Sequence, residues 1–275
     1  MTLSPDFVFT QNNLQDFEDC PRRFQLKYLL RMAWPAPISE PIEENDHLIR
    51  LGSLFHQMVH QYYLNVPEEK IASNITDEDL LTWWKAFLMQ SPVDLPKNKR
   101  PEIEISMPFN NFRLAAKIDL LSVERDKKAV IVDWKTSHRP PRPAYITSRI
   151  QSLVYPYLVI STGSTLNYYR PFKPDQVTMI YWYPAFPDSP VVLTFSAEWM
   201  EKTINKLTRL VDEIVHLDLE VFPLTSDQKK CQFCRYRSLC DRGISAGHMD
   251  DMEEDDPEEN SSLKIDFDEI EETPF

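Results

Sequence analysis

Two aspartates and a lysine lie at the ends of two neighbouring apolar runs in the middle of the chain. Asp119 ends the run 114–119, Asp133 ends the run 129–133, and Lys135 follows two residues later. Residues i and i+2 of a strand point to one face, so Asp133 and Lys135 should share a face. Two carboxylates with backbone or water oxygens suit Mg²⁺ or Mn²⁺, which can polarise a phosphodiester and activate water. The lysine can orient that water or neutralise charge developing on the phosphate.

The hydrophobic pattern predicts strands around these residues and helices on either side. Apolar residues alternate over 102–109, as in a half-buried strand. The other predicted strands are 112–123, 129–134, 176–183 and 190–195. The predicted helices are 11–33, 48–64, 77–90, 146–160 and 197–219, the last with Ser196 as its N-cap. Two adjacent strands of this set can bring Asp119 beside Asp133.

The carboxylates and the lysine belong to a longer pattern of four ordered motifs. These motifs are Gly52-Ser-Leu-Phe-His56, Ala116-Lys-Ile-Asp119, Asp133-Trp-Lys135 and Gln151-Ser-Leu-Val-Tyr155. The chain thereby resembles the RecB-like branch of the PD-(D/E)XK nucleases over roughly residues 10–245. That branch is marked, in the same order, by Gly-x-x-x-His, Gly-x-x-Asp, Asp/Glu-x-Lys and Gln-x-x-x-Tyr. Four ordered matches are far more specific than any single one.

The resemblance implies a site for Mg²⁺ or Mn²⁺. Its implied ligands are the side chains of His56, Asp119 and Asp133 and the carbonyl of Trp134. Acids at strand ends often simply face solvent, and His60 lies one turn beyond His56, so that either histidine could be a plain helix residue. The family pattern favours His56 as the ligand.

The resemblance also implies residues that act on the substrate. Lys135 would be the catalytic lysine. Gln151 and Tyr155 are four residues apart, so they share one helix face, and the family pattern places that face over the active site and the DNA. Two departures accompany the match. Ala116 stands where the family usually has Gly, and Pro156 should kink the helix that carries Tyr155.

Four cysteines form a second chemical signal. Cys231, Cys234 and Cys240 have the spacing C-x2-C-x5-C, and Cys20 lies 211 residues before the first of them. Nothing in the chain suggests export, so two disulfides are not expected. Four thiolates can hold either a structural Zn²⁺ or a 4Fe–4S cluster, and the spacing alone leaves both open.

A resemblance favours the iron–sulfur cluster. AddB-type helicase–nuclease subunits and the RecB-like exonucleases of CRISPR systems carry one early cysteine and a late C-x2-C-x5-C around this nuclease domain. The implied 4Fe–4S cluster would join the first helix to the end of the domain. The cysteines are surrounded by basic residues that could form a DNA-binding patch, or else offset nearby acids. The candidates are Arg22, Arg23, Lys229, Lys230, Arg235 and Arg237.

Negative charge is concentrated at the end of the chain. The formal net charge is −13, but 13 of the 43 acidic residues and only one of the 30 basic residues lie in 249–275. This tail is acidic and poor in apolar residues, so we expect it to be disordered. Its last residues, Pro274 and Phe275, resemble the C-terminal peptide of bacterial single-stranded-DNA-binding proteins. They would dock onto a protein partner, or else the tail covers the basic patch or only aids solubility.

The expected fold is α/β, with a restriction-endonuclease-like core in which helices flank a mixed central sheet. Residues 1–248 would form the nuclease domain, with a helical insertion at about 60–100 and a cluster segment at 229–242. No apolar run approaches the roughly 20 residues that span a bilayer, and no secretion signal precedes Asn13, so the cytoplasm is the expected compartment. With only 4 Gly and no phosphate-binding loop, the chain shows no ATP-driven motor.

The implied function is metal-dependent hydrolysis of DNA. The resemblance favours an exonuclease that acts on single strands or DNA ends in repair or recombination. Two alternatives remain at this point: a CRISPR spacer-processing nuclease, and a cluster-bearing DNA-binding module without catalytic activity.

Overall fold

A mixed six-stranded sheet forms the centre of the computed structural model, which describes residues 3–32, 42–73, 75–92, 94–217, 220–232 and 234–243. The strands are β1 Val8–Phe9, β2 Asn98–Phe109, β3 Phe112–Glu124, β4 Lys128–Trp134, β5 Val177–Trp182 and β6 Val191–Thr194. The helices are α1 Gln11–Asp19, α2 Pro21–Phe24, α3 Ile42–Tyr63, α4 Glu68–Ala72, α5 Glu78–Gln90, α6 Pro143–Ser148, α7 Gln151–Thr162, α8 Ala197–His216 and α9 Lys229–Gln232. The acidic tail, with Pro274 and Phe275, lies outside the described residues.

β3 makes the most pairings in the sheet. It is antiparallel to β2 and β4 and parallel to β1, while β5 is parallel to β4 and antiparallel to β6. Helices cover both faces of this sheet, so the prediction of an α/β fold with a mixed central sheet is confirmed. Within the described residues, no helix is both long and apolar enough to cross a membrane.

Each face of the sheet has its own hydrophobic core. On one face α3 and α5 pack against Trp134 and Trp182, and α5 contributes Trp83, Trp84 and Phe87. On the other face α1, α7 and α8 form the larger core. β4 alternates between the two cores, because Ile131 belongs to the larger one and Trp134 to the smaller one. That alternation directs Asp133 and Lys135 towards α7.

The helix predicted over 11–33 is wrong as a single element. It breaks at Cys20, whose φ of −162° and ψ of 105° are extended, and restarts at Pro21 as α2. A residue before proline is disfavoured in the helical region, and proline suits the first position of a new helix. A π-helical turn over Gln25–Leu29 then completes the segment.

The helix predicted over 146–160 also divides. α6 ends before Arg149, whose ψ is 145°, and α7 begins at Gln151. Pro156 lies inside α7, which continues through it to Thr162. The prediction of Ser196 as the N-cap of α8 is confirmed, because its side chain accepts from the backbone N–H of Trp199.

Candidate active site

Side chains from both helical layers converge on one end of β4. Asp119, on β3, accepts a hydrogen bond of 3.0 Å from the backbone N–H of Trp134, and its Oδ2 lies 3.6 Å from Nδ1 of His56 on α3. Glu102 on β2 completes the group, and the candidate ligand atoms of these three residues all lie within 4.8 Å of one another. An imidazole and two carboxylates so close together form a donor set for a divalent metal ion.

Glu102 is the site residue that the sequence motifs missed. Pro101 pairs with Leu120 and Ile103 with Ile118, so Glu102 lies opposite Asp119. Its φ of +52° is rare for a residue that is not glycine, and such strained backbone is concentrated at functional sites. Its Oε2 also lies 2.6 Å from Nζ of Lys117.

One sequence signal could have identified Glu102. Asn110 and Asn111 form a two-residue hairpin loop with φ of +45° and +63°, a conformation that asparagine tolerates. A two-residue loop fixes the register of its strands, and counting back from it places Glu102 opposite Asp119.

Asp133 contacts the side chains of Lys135 and Gln151. Its Oδ2 lies 3.0 Å from Nζ of Lys135, and its Oδ1 accepts a hydrogen bond of 2.7 Å from Nε2 of Gln151. All three side chains are buried. Of the predicted ligands, His56 and Asp119 lie together. Asp133 lies next to them in the sheet, because the backbone N–H of the following residue, Trp134, donates to Asp119. The described contact of Trp134 with the site is through its N–H, not its carbonyl.

Tyr155 lies over the same acids from α7. It is buried, and burial together with the nearby carboxylates holds the pKa of its phenol well above its ordinary value. Tyr155 is therefore neutral at physiological pH and can serve as a hydrogen-bond partner but not as a phenolate. Its hydroxyl accepts a hydrogen bond of 3.2 Å from Nε2 of Gln11 on α1. One turn further along α1, Oε1 of Gln15 accepts from the backbone N–H of Ile150 at 3.0 Å.

A family model for the PD-(D/E)XK nuclease superfamily matches residues 8–241, which include every residue of this site. The chain belongs to that superfamily. Membership implies hydrolysis of nucleic acid. No curated protein matches the nuclease.

Solved structures with similar folds have little sequence in common with the nuclease. SSO0001 is 11% identical, with 86% of this chain and 87% of that chain covered and a TM-score of 0.41. A protein from Eubacterium rectale, named as a candidate exonuclease, is 8% identical, with coverages of 78% and 83% and a TM-score of 0.48. At these TM-scores neither likeness supports a functional assignment.

Metal binding by the nuclease is expected to weaken in mild acid. Burial, with a further contribution from Glu102, raises the pKa of Asp119 to about 6, although His56 opposes the shift. A carboxyl must be ionised to bind a metal, so the affinity should fall about tenfold for each pH unit below about 6. Calorimetric titration with Mn²⁺ across this range tests the slope, with Asp119→Asn as the control. Equal wild-type affinity at about pH 5 and pH 7 would contradict the assignment of Asp119.

Removing the charge of Glu102 is expected to weaken metal binding to the nuclease. Glu102→Gln removes the charge from one of the three candidate donors and keeps a neutral oxygen in its place, and we expect a loss of about 10- to 100-fold in Mn²⁺ affinity, the range found for groups that support metal sites. Glu104→Gln is the matched control, since Glu104 lies on the same strand and outside the donor group. Calorimetry compares the two variants, and equal affinities would exclude Glu102 as a ligand.

The four cysteines of the nuclease meet where α1 ends. All four are free thiols in the described structure, with Cys20 and Cys231 buried. Burial raises the thiol pKa of Cys231, Cys234 and Cys240, that of Cys234 to about 11, and the nearby Cys20 adds to each shift. Cys231, Cys234 and Cys240 are therefore protonated at neutral pH, and a metal that binds these three thiols must displace their protons.

Ion pairs of the buried Asp16 and Asp19 join α1 to the residues that follow it and, through Lys230, to the cysteine segment 229–242. Asp16 lies 2.8 Å from Nε of Arg23 and 2.9 Å from Nζ of Lys27. Burial opposes ionisation of Asp16, but the two cations outweigh it and lower its pKa. Asp19 pairs with Arg23 at 2.8 Å and also with Lys230, across most of the chain. The ion pair of Asp19 with Lys230 thus links the start and the end of the domain close to the cysteines.

The predicted DNA-binding patch needs correction at two positions. Arg237 is only 3% exposed and donates to the carbonyl of Cys234, and the side chain of Arg23 is 10% exposed between its two aspartates. Neither guanidinium lies at the surface, because each satisfies an internal acceptor. Lys229 and Arg235 are exposed. DNA binding by these two, and by Arg22 and Lys230, stays a prediction.

Proposed function

We propose that this nuclease is a Mg²⁺- or Mn²⁺-dependent deoxyribonuclease of the RecB-like branch. We further propose that it acts as an exonuclease on single strands or DNA ends, in cytoplasmic DNA repair or recombination. The observation that carries the proposal is the donor group of His56, Glu102 and Asp119 beside the buried pair of Asp133 and Lys135. The order of the four motifs supports the RecB-like branch, and the exonuclease activity follows from that resemblance.

The proposed chemistry divides between the ion and the lysine. His56, Glu102 and Asp119 would hold the ion, with Asp133 and the Trp134 carbonyl as further ligands. When bound, the ion polarises the phosphodiester and lowers the pKa of water. Lys135 is fixed by its ion pair with Asp133 and can orient the attacking water or neutralise charge on the phosphate.

Gln151 and Tyr155 keep this arrangement in place. Gln151 donates to Asp133 at 2.7 Å, which holds the carboxylate in the orientation that meets Lys135. The neutral Tyr155 covers the acids from α7 and excludes water from that side of the site. In a drier site the charges of the lysine and the acids act more strongly on the reacting phosphate.

The four cysteines are proposed to bind a 4Fe–4S cluster, with structural Zn²⁺ as the alternative. Four cysteines gathered at the junction of α1 and the cysteine segment support a metal site of either kind. A brown protein with broad absorption in the visible blue, together with iron and sulfide on analysis, is the expected result. A colourless anaerobic preparation that contains zinc would select the alternative.

A cleavage assay on end-labelled DNA tests the proposed activity. The purified nuclease is incubated with single- and double-stranded substrates in Mg²⁺, in Mn²⁺ and in a chelator. We expect metal-dependent release of short products from ends, and closed circular DNA should resist. Cleavage of closed circular DNA would show that the activity is endonucleolytic. If neither metal supports cleavage of any substrate, the proposal is overturned.

A further inference from the structure

Two tyrosines project into solvent from the loop after α7. Tyr168 is 57% exposed, and Tyr169 at 86% is the most exposed of the large hydrophobic side chains in the described part of the chain. Neither belongs to the motifs of the active site. Large aromatic rings this exposed are unusual and are often binding groups.

The loop is held firmly in a strained conformation. Tyr168 and Tyr169 both have positive φ, +51° and +61°, which is unfavourable for bulky residues. The buried Asn167 fixes them, because its Oδ1 accepts from the backbone N–H of Asp126 at 2.5 Å and its Nδ2 donates to the carbonyl of Arg170 at 3.2 Å. The surrounding structure thus imposes the conformation that exposes both rings.

One basic side chain contacts a tyrosine ring, and others lie on the same turn and loop. The guanidinium of Arg125, on the β3–β4 turn, lies 4.8 Å from the centroid of the Tyr168 ring. The exposed basic residues of the turn and the loop are Arg125, Lys127, Lys128, Arg170 and Lys173, the exposed acidic ones are Asp126 and Asp175, and Glu124 is half-buried. Lys127 pairs with Glu124 and Arg170 with Asp126, which leaves Arg125, Lys128 and Lys173 as the cations of this surface that form no ion pair with the described residues. We call these residues, with Tyr168 and Tyr169, the tyrosine surface. It is basic in an otherwise nearly neutral domain.

The tyrosine surface is separate from the catalytic acids. β4 begins at Lys128, a residue of this surface, and reaches Asp133 five residues later. At about 3.3 Å per residue, the two ends lie roughly 17 Å apart along the strand. A flexible polymer could occupy both places at once.

We propose that the tyrosine surface is a second binding site for single-stranded nucleic acid. Aromatic rings with adjacent arginine and lysine match the alternation of bases and phosphates, and stacking needs bases that are not paired in a duplex. Arg125 orients the Tyr168 ring, and Tyr169 offers an open face to a base. The site would hold substrate away from the scissile bond, so it deepens the proposed nuclease function.

Binding without cleavage tests the proposal directly. Fluorescence anisotropy with labelled oligothymidylate in a chelator measures affinity independently of catalysis, so it remains informative if the nuclease activity is not found. Tyr169→Ala should weaken binding about five- to tenfold, at the low end of the range for loss of one stacked base. Tyr169→Phe keeps the ring and should bind like the wild type, as should Val192→Ala, which alters an exposed residue on β6.

Two further measurements separate this site from the catalytic centre. Tyr169→Ala should slow cleavage of long single strands but not of oligonucleotides too short to span about 17 Å. Lys173→Ala should reduce the salt dependence of binding, since it removes a phosphate contact. Wild-type affinity of Tyr169→Ala for long single strands would overturn the proposal. So would a Tyr169→Ala variant that keeps DNA binding and loses only a protein partner.

Discussion

Asp133→Asn is expected to reduce cleavage by at least about 10³-fold, the largest effect of any single change in the site. Asparagine keeps the shape of the side chain but removes the charge that fixes Lys135 at 3.0 Å. Because Asp133 and Lys135 are buried, the loss also leaves the lysine without its nearest carboxylate in a place with little solvent. The variant therefore disturbs both the proposed metal site and the orientation of the lysine.

Single-turnover cleavage at saturating Mn²⁺ measures this effect on the chemical step. Lys135→Met is expected to lose about 10²- to 10³-fold. The double variant should lose little more than Asp133→Asn alone, because the two residues act as a unit. Asp188→Asn, on the exposed turn between β5 and β6, is the control. Circular dichroism confirms that each variant is folded, and a folded Asp133→Asn protein with wild-type cleavage would refute the site.

Cys20→Ser is expected to cause the largest loss of stability. Cys20 and Cys231 are 211 residues apart, and joining them through a metal centre closes almost the whole domain into a loop. The entropy that such a link removes from the unfolded chain corresponds to about 5 kcal/mol. For a domain of this size we expect the melting temperature to fall by roughly 10–20 °C.

Thermal melts under anaerobic conditions, together with metal analysis, measure this loss. Asp19→Asn is the informative comparison, because it removes the ion pairs with Arg23 and Lys230 and keeps all four thiols. Cys20→Ser should lose bound metal, whereas Asp19→Asn should retain it and melt at an intermediate temperature. A Cys20→Ser protein that melts with the wild type would show that the link contributes no stability.

Sequence patterns predicted the parts of the site that depend on local geometry. The alternation of β4 placed Asp133 and Lys135 together, and the four-residue spacing of Gln151 and Tyr155 placed both on one face of α7. The sequence motifs did not identify Glu102, because its position beside Asp119 depends on the register of β2 against β3 and on a backbone with positive φ. The prediction of a single helix over 11–33 was wrong because Cys20, the residue before Pro21, prefers an extended conformation, which breaks the helix although the apolar pattern continues.

The partners of the charged residues were harder to predict than the positions of the helices and strands. Arg23 and Arg237 are basic residues in a basic stretch, and composition favoured an exposed patch. Their burial depends on Asp16, Asp19 and the Cys234 carbonyl, which tertiary packing brings close. A sequence gives the charges but not which of them the fold will enclose.

The contacts of α1 have a consequence for the synthesis of this nuclease. α1 is synthesised early, but the residues that lie against it are synthesised later: Tyr155, which Gln11 contacts, Ile150, which Gln15 contacts, and Cys231, which is proposed to share a metal centre with Cys20. The helix that steadies the catalytic face therefore finds its last partners only when the end of the domain has been translated. A nascent chain thus contains Asp119 and Asp133 before it contains the residues that complete the contacts of α1, so we expect the site to be completed only when the domain folds as a whole.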